Sequence, residues 1–215
     1  MRLASLNIGR PRQVSFRGES VGTGIFKAPV DGPIRVTPRT LEGDVQVDLR
    51  FHGGLDKAVY CYPLEHYAFW AQDLGRADLA PGQFGENFTT EGLLETAVCI
   101  GDQLAIGTAI FEVTQPRVPC FKLGIRMGDA RFVKRFMEAQ KTGFYLRVLQ
   151  EGSVQAGDTI TLHARGREGL TVHAVNHLHF FDTTNHTAIL AALAEPALSR
   201  SWREELGELL ALIKG

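Results

Sequence analysis

Along roughly the first three quarters of the chain, apolar residues recur with the short period of strands, and towards the end they shift to helical spacing. Val45-Gln46-Val47-Asp48-Leu49-Arg50-Phe51 alternates strictly and predicts a strand with one buried face. Runs rich in β-branched and aromatic residues at 59–62, 97–100, 104–113, 144–149 and 159–163 predict further strands. Gly-Asp pairs at 43–44, 101–102 and 157–158 predict turns that introduce strands; they follow no fixed period, so they define no repeat. Two helices interrupt this pattern. Pro63 suits a first helical position, with Leu64, Tyr67, Ala68, Ala71 and Leu74 on one face and Gly75 as the stop. Asp129 can cap the second, whose stripe is Phe132, Val133, Phe136 and Met137, ending before Gly143.

Many short strands with few helices predict a mainly β fold, a closed or nearly closed barrel over residues 1–165. Residues 166–215 then form a small appendage of three helices, at 171–180, 185–194 and 201–213. In the last of these, Ser201 and Glu204 have capping-box spacing, and Trp202, Leu206, Leu209, Leu210 and Ile213 form the buried stripe.

At 215 residues the chain is long enough to bury a sizeable core, and its 44% hydrophobic and 22% charged content is that of an ordinary globular protein. The net charge of -1, with basic residues dispersed, gives no reason to expect nucleic acid or a membrane surface as partner. No segment approaches the roughly 18 apolar residues of a membrane helix, and the N-terminus lacks the apolar run of a secretory signal. Three cysteines, none in metal-cluster spacing, fit a reducing compartment, so the expected location is cytoplasmic.

Candidate chemistry concentrates in three runs. In Gln115-Pro116-Arg117-Val118-Pro119-Cys120-Phe121-Lys122, two cations flank a thiol behind two stiffening prolines; nearby positive charge favours a thiolate, a metal ligand or nucleophile. The competing reading is a buried small hydrophobe, which is the expectation for Cys61 and Cys99 in their apolar strands. His52-Gly53-Gly54-Leu55-Asp56-Lys57 lets backbone amides approach an anion beside His52 and Lys57, or is a plain strand turn. Phe84-Gly85-Glu86-Asn87-Phe88-Thr89-Thr90 offers an amide and two hydroxyls for the polar edge of a heterocycle, or satisfies a turn locally. His173 and His177 stand at i, i+4, but no carboxylate completes a metal motif, so helix packing or capping is expected for them and for His179.

Together and in this order, the three runs resemble the MOSC domain family, named for the C-terminal domain of molybdenum cofactor sulfurase, and within it the stand-alone bacterial YiiM-like branch. Gly24-Ile25-Phe26-Lys27, Leu41-Glu42-Gly43-Asp44, Ile100-Gly101-Asp102 and, in the tail, Leu198-Ser199-Arg200-Ser201-Trp202 belong to the same resemblance, which covers nearly the whole chain. It implies a MOSC-type β-barrel whose mouth binds molybdenum cofactor, with Cys120 as catalytic residue and molybdenum ligand. Lys27, Lys57 and Arg117 would then hold the pterin phosphate or ring, and His52, Asn87, Thr89 and Thr90 its polar edge. The implied activity is reduction of N-hydroxylated compounds, such as hydroxylamino-purines and amidoximes, to amines or amidines. With no iron–sulfur cysteine set and no flavin or nicotinamide fingerprint, electrons would come from a separate flavoprotein or iron–sulfur reductase. A non-enzymatic carrier of the cofactor or of sulfane sulfur is the alternative, and a homodimer is left open.

Overall fold

The computed structural model describes residues 1–47 and 53–214. Strand β1 (Arg2–Gly9) leads into a hairpin of β2 (Arg12–Phe16) and β3 (Glu19–Thr23). Its two-residue turn, Arg17 at φ 54° and Gly18 at φ 84°, has both residues left-handed, as a tight turn matched to strand twist requires. Then follow β4 (Lys27–Pro29), β5 (Ile34–Val36), a single 3-10 turn at Leu55–Lys57, β6 (Val59–Pro63), α1 (Glu65–Leu74) and β7 (Phe88–Glu91). The hairpin β8 (Gln103–Ile106) and β9 (Ala109–Pro116) precedes α2 (Phe121–Met127) and α3 (Phe132–Glu138). The chain continues through β10 (Phe144–Gln150), β11 (Gly152–Val154) and β12 (Ile160–Ala164), and ends in α4 (Val172–Phe180), α5 (His186–Leu193) and α6 (Arg200–Lys214).

Eight strands form one sheet in the order β12-β8-β9-β10-β6-β7-β1-β4, antiparallel except for the parallel pair β6–β7. Its hydrogen-bonded ladder does not close among the described residues. An isolated bridge between Arg2 and Thr159, supported by Leu3 N–H donating to Asp158 O at 2.9 Å and Ile160 N–H to Met1 O at 3.0 Å, joins β1 to the approach of β12. The fold is therefore a sheet-dominated one with six α-helices and a C-terminal helical subdomain.

Alternation explains the sheet's inner face: along β8 and β9, Leu104, Ile106, Ala109, Phe111 and Val113 are all buried. They share a core with Leu3, Leu6 and Phe88, and with Val172, Val175, Ile189, Trp202 and Leu206 of the last three helices. The helical tail is thus packed into the same apolar cluster as the sheet. A second, aromatic cluster lies under α1, α2 and α3, where Tyr62, Trp70, Phe84, Phe132 and Phe136 stack face to face or edge to face. Each such ring pair contributes about 0.5–1.5 kcal/mol beyond its buried area, and this cluster supports the pocket floor.

Several expectations are corrected. Pro63 closes β6 instead of opening α1, because Val59 to Pro63 are all buried in the sheet and Pro63 pairs in register with Thr90. On α1 the buried face is His66, Tyr67 and Trp70, while Ala68 is exposed. The run 104–113 is a hairpin folded at Gly107 (φ 57°), not one strand. Residues 97–100 form a turn region that touches Thr171 through one bridge at Cys99, because the Asp102 carboxylate takes up the Cys99 N–H at 2.9 Å. Val45 to Val47 lie in no strand, and residues 48–51 of that expected strand fall outside the described residues. The Ser201–Glu204 capping box does not form: α6 starts at Arg200, Ser199 Oγ accepts the Trp202 N–H at 3.3 Å, and Glu204 pairs with Arg200. Asp129 does not cap α3, which starts at Phe132 with Arg131 at its cap position, because the Asp129 carboxylate takes the Arg131 N–H at 2.9 Å in the preceding turn; the α3 stripe and the tail helices otherwise fall where expected.

Candidate functional site

A cavity of about 90 Å³ opens where the β3–β4 connection, the 44–47 segment, the 3-10 turn, β6, the 85–87 loop and the β9–α2 junction meet. Its lining includes Lys27, Asp44, Lys57, Tyr60, Asn87, Arg117, Cys120, Lys122 and Tyr145. Gly24 and Gly85 also line it. A Cβ on Gly24 would fall 2.4 Å from Val45 O, and one on Gly85 2.6 Å from the Ile25 side chain, so only glycine allows these walls to approach.

One wall is a closed polar network. Lys27, 8% exposed, pairs its ammonium with the Asp44 carboxylate, one contact being 2.6 Å. Asp44 also accepts the Gly9 N–H at 2.7 Å and the Asn87 amide at 2.9 Å. The Asn87 carbonyl takes the Tyr60 N–H at 3.2 Å, and Asn7 donates to Thr89 Oγ1 at 3.0 Å, which in turn donates to Glu86 at 2.9 Å. Glu86 further accepts the Gly82 and Phe84 N–H groups and the Tyr67 hydroxyl. Burial pushes the Lys27 ammonium below its ordinary range, and Asp44 opposes that.

The facing wall carries the thiol. β9 ends at Pro116, whose missing N–H fits the end of the ladder, and the chain then turns through Pro119 into α2. Cys120 occupies the extended cap position of α2, half-buried and free of any disulfide. Arg117 is 5% exposed; its Nη1 donates to Phe84 O at 2.5 Å and its guanidinium lies 4.5 Å from the Tyr60 ring centroid. Burial raises the Tyr60 and Tyr145 phenols well above or above their ordinary value, although Arg117 opposes it, so both remain neutral hydrogen-bonding groups. Lys122 is 8% exposed, and no hydrogen-bond or ion-pair partner reaches it among the described residues. Burial also pushes the Lys57 ammonium down, with Glu205 and Asp56 opposing.

The structure brings Lys27, Lys57, Asn87, Arg117 and Cys120 to one cavity from positions up to 93 residues apart in number, 27 to 120. Asn87 reaches it with its amide already engaged. Thr89 and Thr90 are fully buried in β7 and do not line it, and His52 lies outside the described residues. Tyr60 and Tyr145 line the cavity without having been assigned to a ligand, and among the charged lining residues Asp44 and Lys122 are the two that sequence reasoning did not assign to one. Both stood within motif runs, Gly43-Asp44 and Cys120-Phe121-Lys122, but only burial shows that one is saturated and the other is not. Cys61 is buried in β6 and Cys99 is buried beside Asp102, as expected of packing cysteines. The His173 and His177 rings stack at 6.2 Å, and no group of three or more potential ligands for a metal forms among the described residues. No described helix is long and apolar enough to cross a membrane.

The donor set fits molybdenum cofactor. A half-buried thiol suits a soft metal, and the basic side chains of Lys57, Arg117 and Lys122 stand on the lining where a phosphate can be met. Comparisons with known proteins point the same way. Residues 48–161 match the MOSC domain and residues 170–211 the YiiM-like 3-alpha helix domain. A protein named YflK from Bacillus subtilis is 44% identical over 199 residues, covering 93% of this chain and 90% of its own length. A protein named reductase from Gibberella moniliformis is 36% identical over 166 residues, covering 76% of this chain but 29% of that protein. The crystal structure of YiiM from Geobacillus stearothermophilus superposes with a TM-score of 0.83 at 37% identity, covering 97% of this chain and 98% of that one. The chain belongs to the MOSC domain family, in its stand-alone YiiM-like branch.

Proposed function

We propose that this protein is a molybdenum-cofactor-dependent reductase of N-hydroxylated compounds, with Cys120 as the metal ligand. The observation that carries the reading is the placement of the Cys120 thiol on a small cavity whose lining holds four basic side chains and one acidic one. A MOSC chain with a reductase-named relative gives that placement its chemical sense. The overall reaction balances as R–NHOH + 2 e⁻ + 2 H⁺ → R–NH₂ + H₂O. Bound cofactor supplies the two-electron chemistry, and the electrons arrive from a separate flavoprotein or iron–sulfur protein.

The chain's own residues bind and orient. Cys120 holds the metal through sulfur. Arg117, fixed by Phe84 O and the Tyr60 ring, presents a rigid guanidinium for phosphate or pterin oxygen, and Lys57 adds a second cation. The Lys27–Asp44–Asn87 network shapes the opposite wall, where Gly24 and Gly85 also line the cavity. Tyr145, kept neutral, is a hydrogen-bond donor toward the substrate, while Tyr60, also neutral, gives its hydroxyl proton to Thr142 O at 2.7 Å and serves as a fixed face for Arg117. In this reading the sheet is a MOSC-type barrel, with the isolated Arg2–Thr159 bridge as support for its closure, and the enzyme works in the cytoplasm.

Metal and pterin analysis of purified protein tests this reading: near-stoichiometric amounts of both are expected, with Cys120→Ala losing the metal and reduction of a hydroxylamino-purine together. Reduction that survives Cys120→Ala rules the mechanism out. Bound cofactor that transfers to an apo-enzyme, with no turnover under reducing conditions, replaces it with the carrier reading.

A further inference from the structure

The β2–β3 hairpin is a two-stranded sheet of its own and lies against α2, where the Phe16 and Phe121 rings stack at 4.9 Å. Phe121 directly follows Cys120, and its side chain is exposed. Along β2, alternation puts Arg12 on the same face as Phe16. The Phe26 ring carries two guanidiniums, Arg12 at 5.0 Å and Arg126 of α2 at 5.2 Å, and Arg17 lies 5.2 Å from the Phe16 ring. Each of the three cations thus rests on an aromatic face. None of them meets a carboxylate among the described residues, and Arg126 Nε is sealed without an acceptor. Arg76, whose charge also reaches Arg126, differs in being held by Asp78 at 2.8 Å. Burial pushes the Arg126 guanidinium below its ordinary range, the buried Glu86 opposes this, and Arg12 adds repulsion. Unpaired arginines set around exposed aromatic rings have the composition of a protein-docking face. Because the rings already hold the guanidiniums in place, less side-chain freedom is lost on association.

We propose that the hairpin–α2 face, with Arg12, Arg17 and Arg126 around Phe16, Phe26 and Phe121, docks the electron-donating protein through acidic residues of that partner. This docking role rests on the reductase reading, which requires a separate donor. The donor's redox group must approach a metal held at Cys120, and Phe121 places the face there, being in the patch and next in the chain to the thiol. Carboxylates of the partner would meet the three guanidiniums that the chain itself leaves unpaired.

Reduction of a hydroxylamino-purine by the holoprotein is driven in turn by reduced methyl viologen, by flavodoxin and by plant-type ferredoxin, the last two being acidic one-electron carriers. Wild-type protein turns over with viologen and with at least one carrier, and its carrier-driven kcat/KM falls as salt screens the contact. Arg12→Glu with Arg126→Glu raises KM for that carrier about tenfold or more, flattens the salt dependence and leaves the viologen rate at the wild-type value. Arg12→Lys with Arg126→Lys keeps most of the carrier-driven rate, and Lys134→Glu, at an exposed position on α3, matches wild type. Carrier kinetics unchanged by Arg12→Glu with Arg126→Glu overturn the proposal, as does a viologen rate that falls as far as the carrier-driven one. Viologen turnover that neither carrier supports overturns it too. Should that variant fail to fold, Arg12→Glu with Arg17→Glu, both exposed on the hairpin, carries the same expectations. Wild-type protein that does not turn over even with viologen sinks the reductase reading. Calorimetric titration with flavodoxin at low salt then decides the docking face by itself: binding lost in Arg12→Glu with Arg126→Glu upholds it, and binding that is unchanged there, or absent from wild type, overturns it.

Discussion

On the wall built from β1, β4 and the 82–87 loop, charged and amide groups finish their hydrogen bonds inside the protein. Lys27, Asp44, Asn87, Asn7, Thr89 and Glu86 form a chain of mutual partners. Across the cavity, the start of α2 presents a half-buried thiol and a lysine that pairs with none of the described residues. The two walls draw on the same residue types, and both contain stretches that look like binding motifs. What separates them is satisfaction: a closed network specifies shape, whereas an open one is completed by a ligand.

Breaking the closed wall has the largest expected effect. Asp44→Ala leaves Lys27 buried without its counter-charge and the Gly9 N–H without an acceptor, and is expected to cost about 3–5 kcal/mol in denaturant unfolding. A loss below about 1 kcal/mol would mean that the wall is not held by this pair. The double change Lys27→Met with Asp44→Asn removes both charges and is expected to cost clearly less than Asp44→Ala alone.

The open wall should respond far less. Lys122→Met removes a side chain that no described residue pairs with, so the cofactor-free chain is expected to unfold within about 0.5 kcal/mol of wild type in denaturant. Destabilisation instead would place Lys122 in the closed class.

The smallest effect lies on the helical tail, where Glu205 acts on both His179 and the Lys57 of the cavity lining. Burial pushes the His179 imidazole below its ordinary value of about 6.5, with Glu205 opposing, and the ring packs 5.0 Å from that of Trp202. The folded state therefore binds its proton less readily than the unfolded one. Its stabilising contribution is complete above the unfolded value and falls away as pH drops through it toward the folded one. His179→Phe is expected to flatten the pH dependence of the urea midpoint between about pH 7 and 5. An unchanged slope would assign the acid sensitivity elsewhere.

Much of the fold was legible because its signals were local. Stripes placed α3 and the tail helices, although the caps named for α3 and α6 did not form, and turn chemistry at Gly101-Asp102 and Gly157-Asp158 placed the starts of β8 and β12. α2 was missed for a physical reason. Two prolines precede it and Gly124 interrupts it, which reads as loop, but a Cβ at Gly124 would stand 3.0 Å from the Ala130 backbone. The glycine is there so that α2 can pack against the turn into α3, and that tertiary contact outweighs its poor helix propensity. Pro63 misled in the converse way, as a residue suited to a helix start that the sheet used as a strand end.

By itself the sequence determined the strand-to-helix division of the chain, the thiol with its flanking cations, and the runs that carry the family resemblance, since each is a matter of residue type and spacing. Tertiary structure alone decided which of those polar groups are spent. Lys27 and Lys122 are the same side chain with the same 8% exposure. Only the fold sets a carboxylate against one and, among the described residues, no partner against the other, because pairing depends on distances between segments that the linear order does not fix.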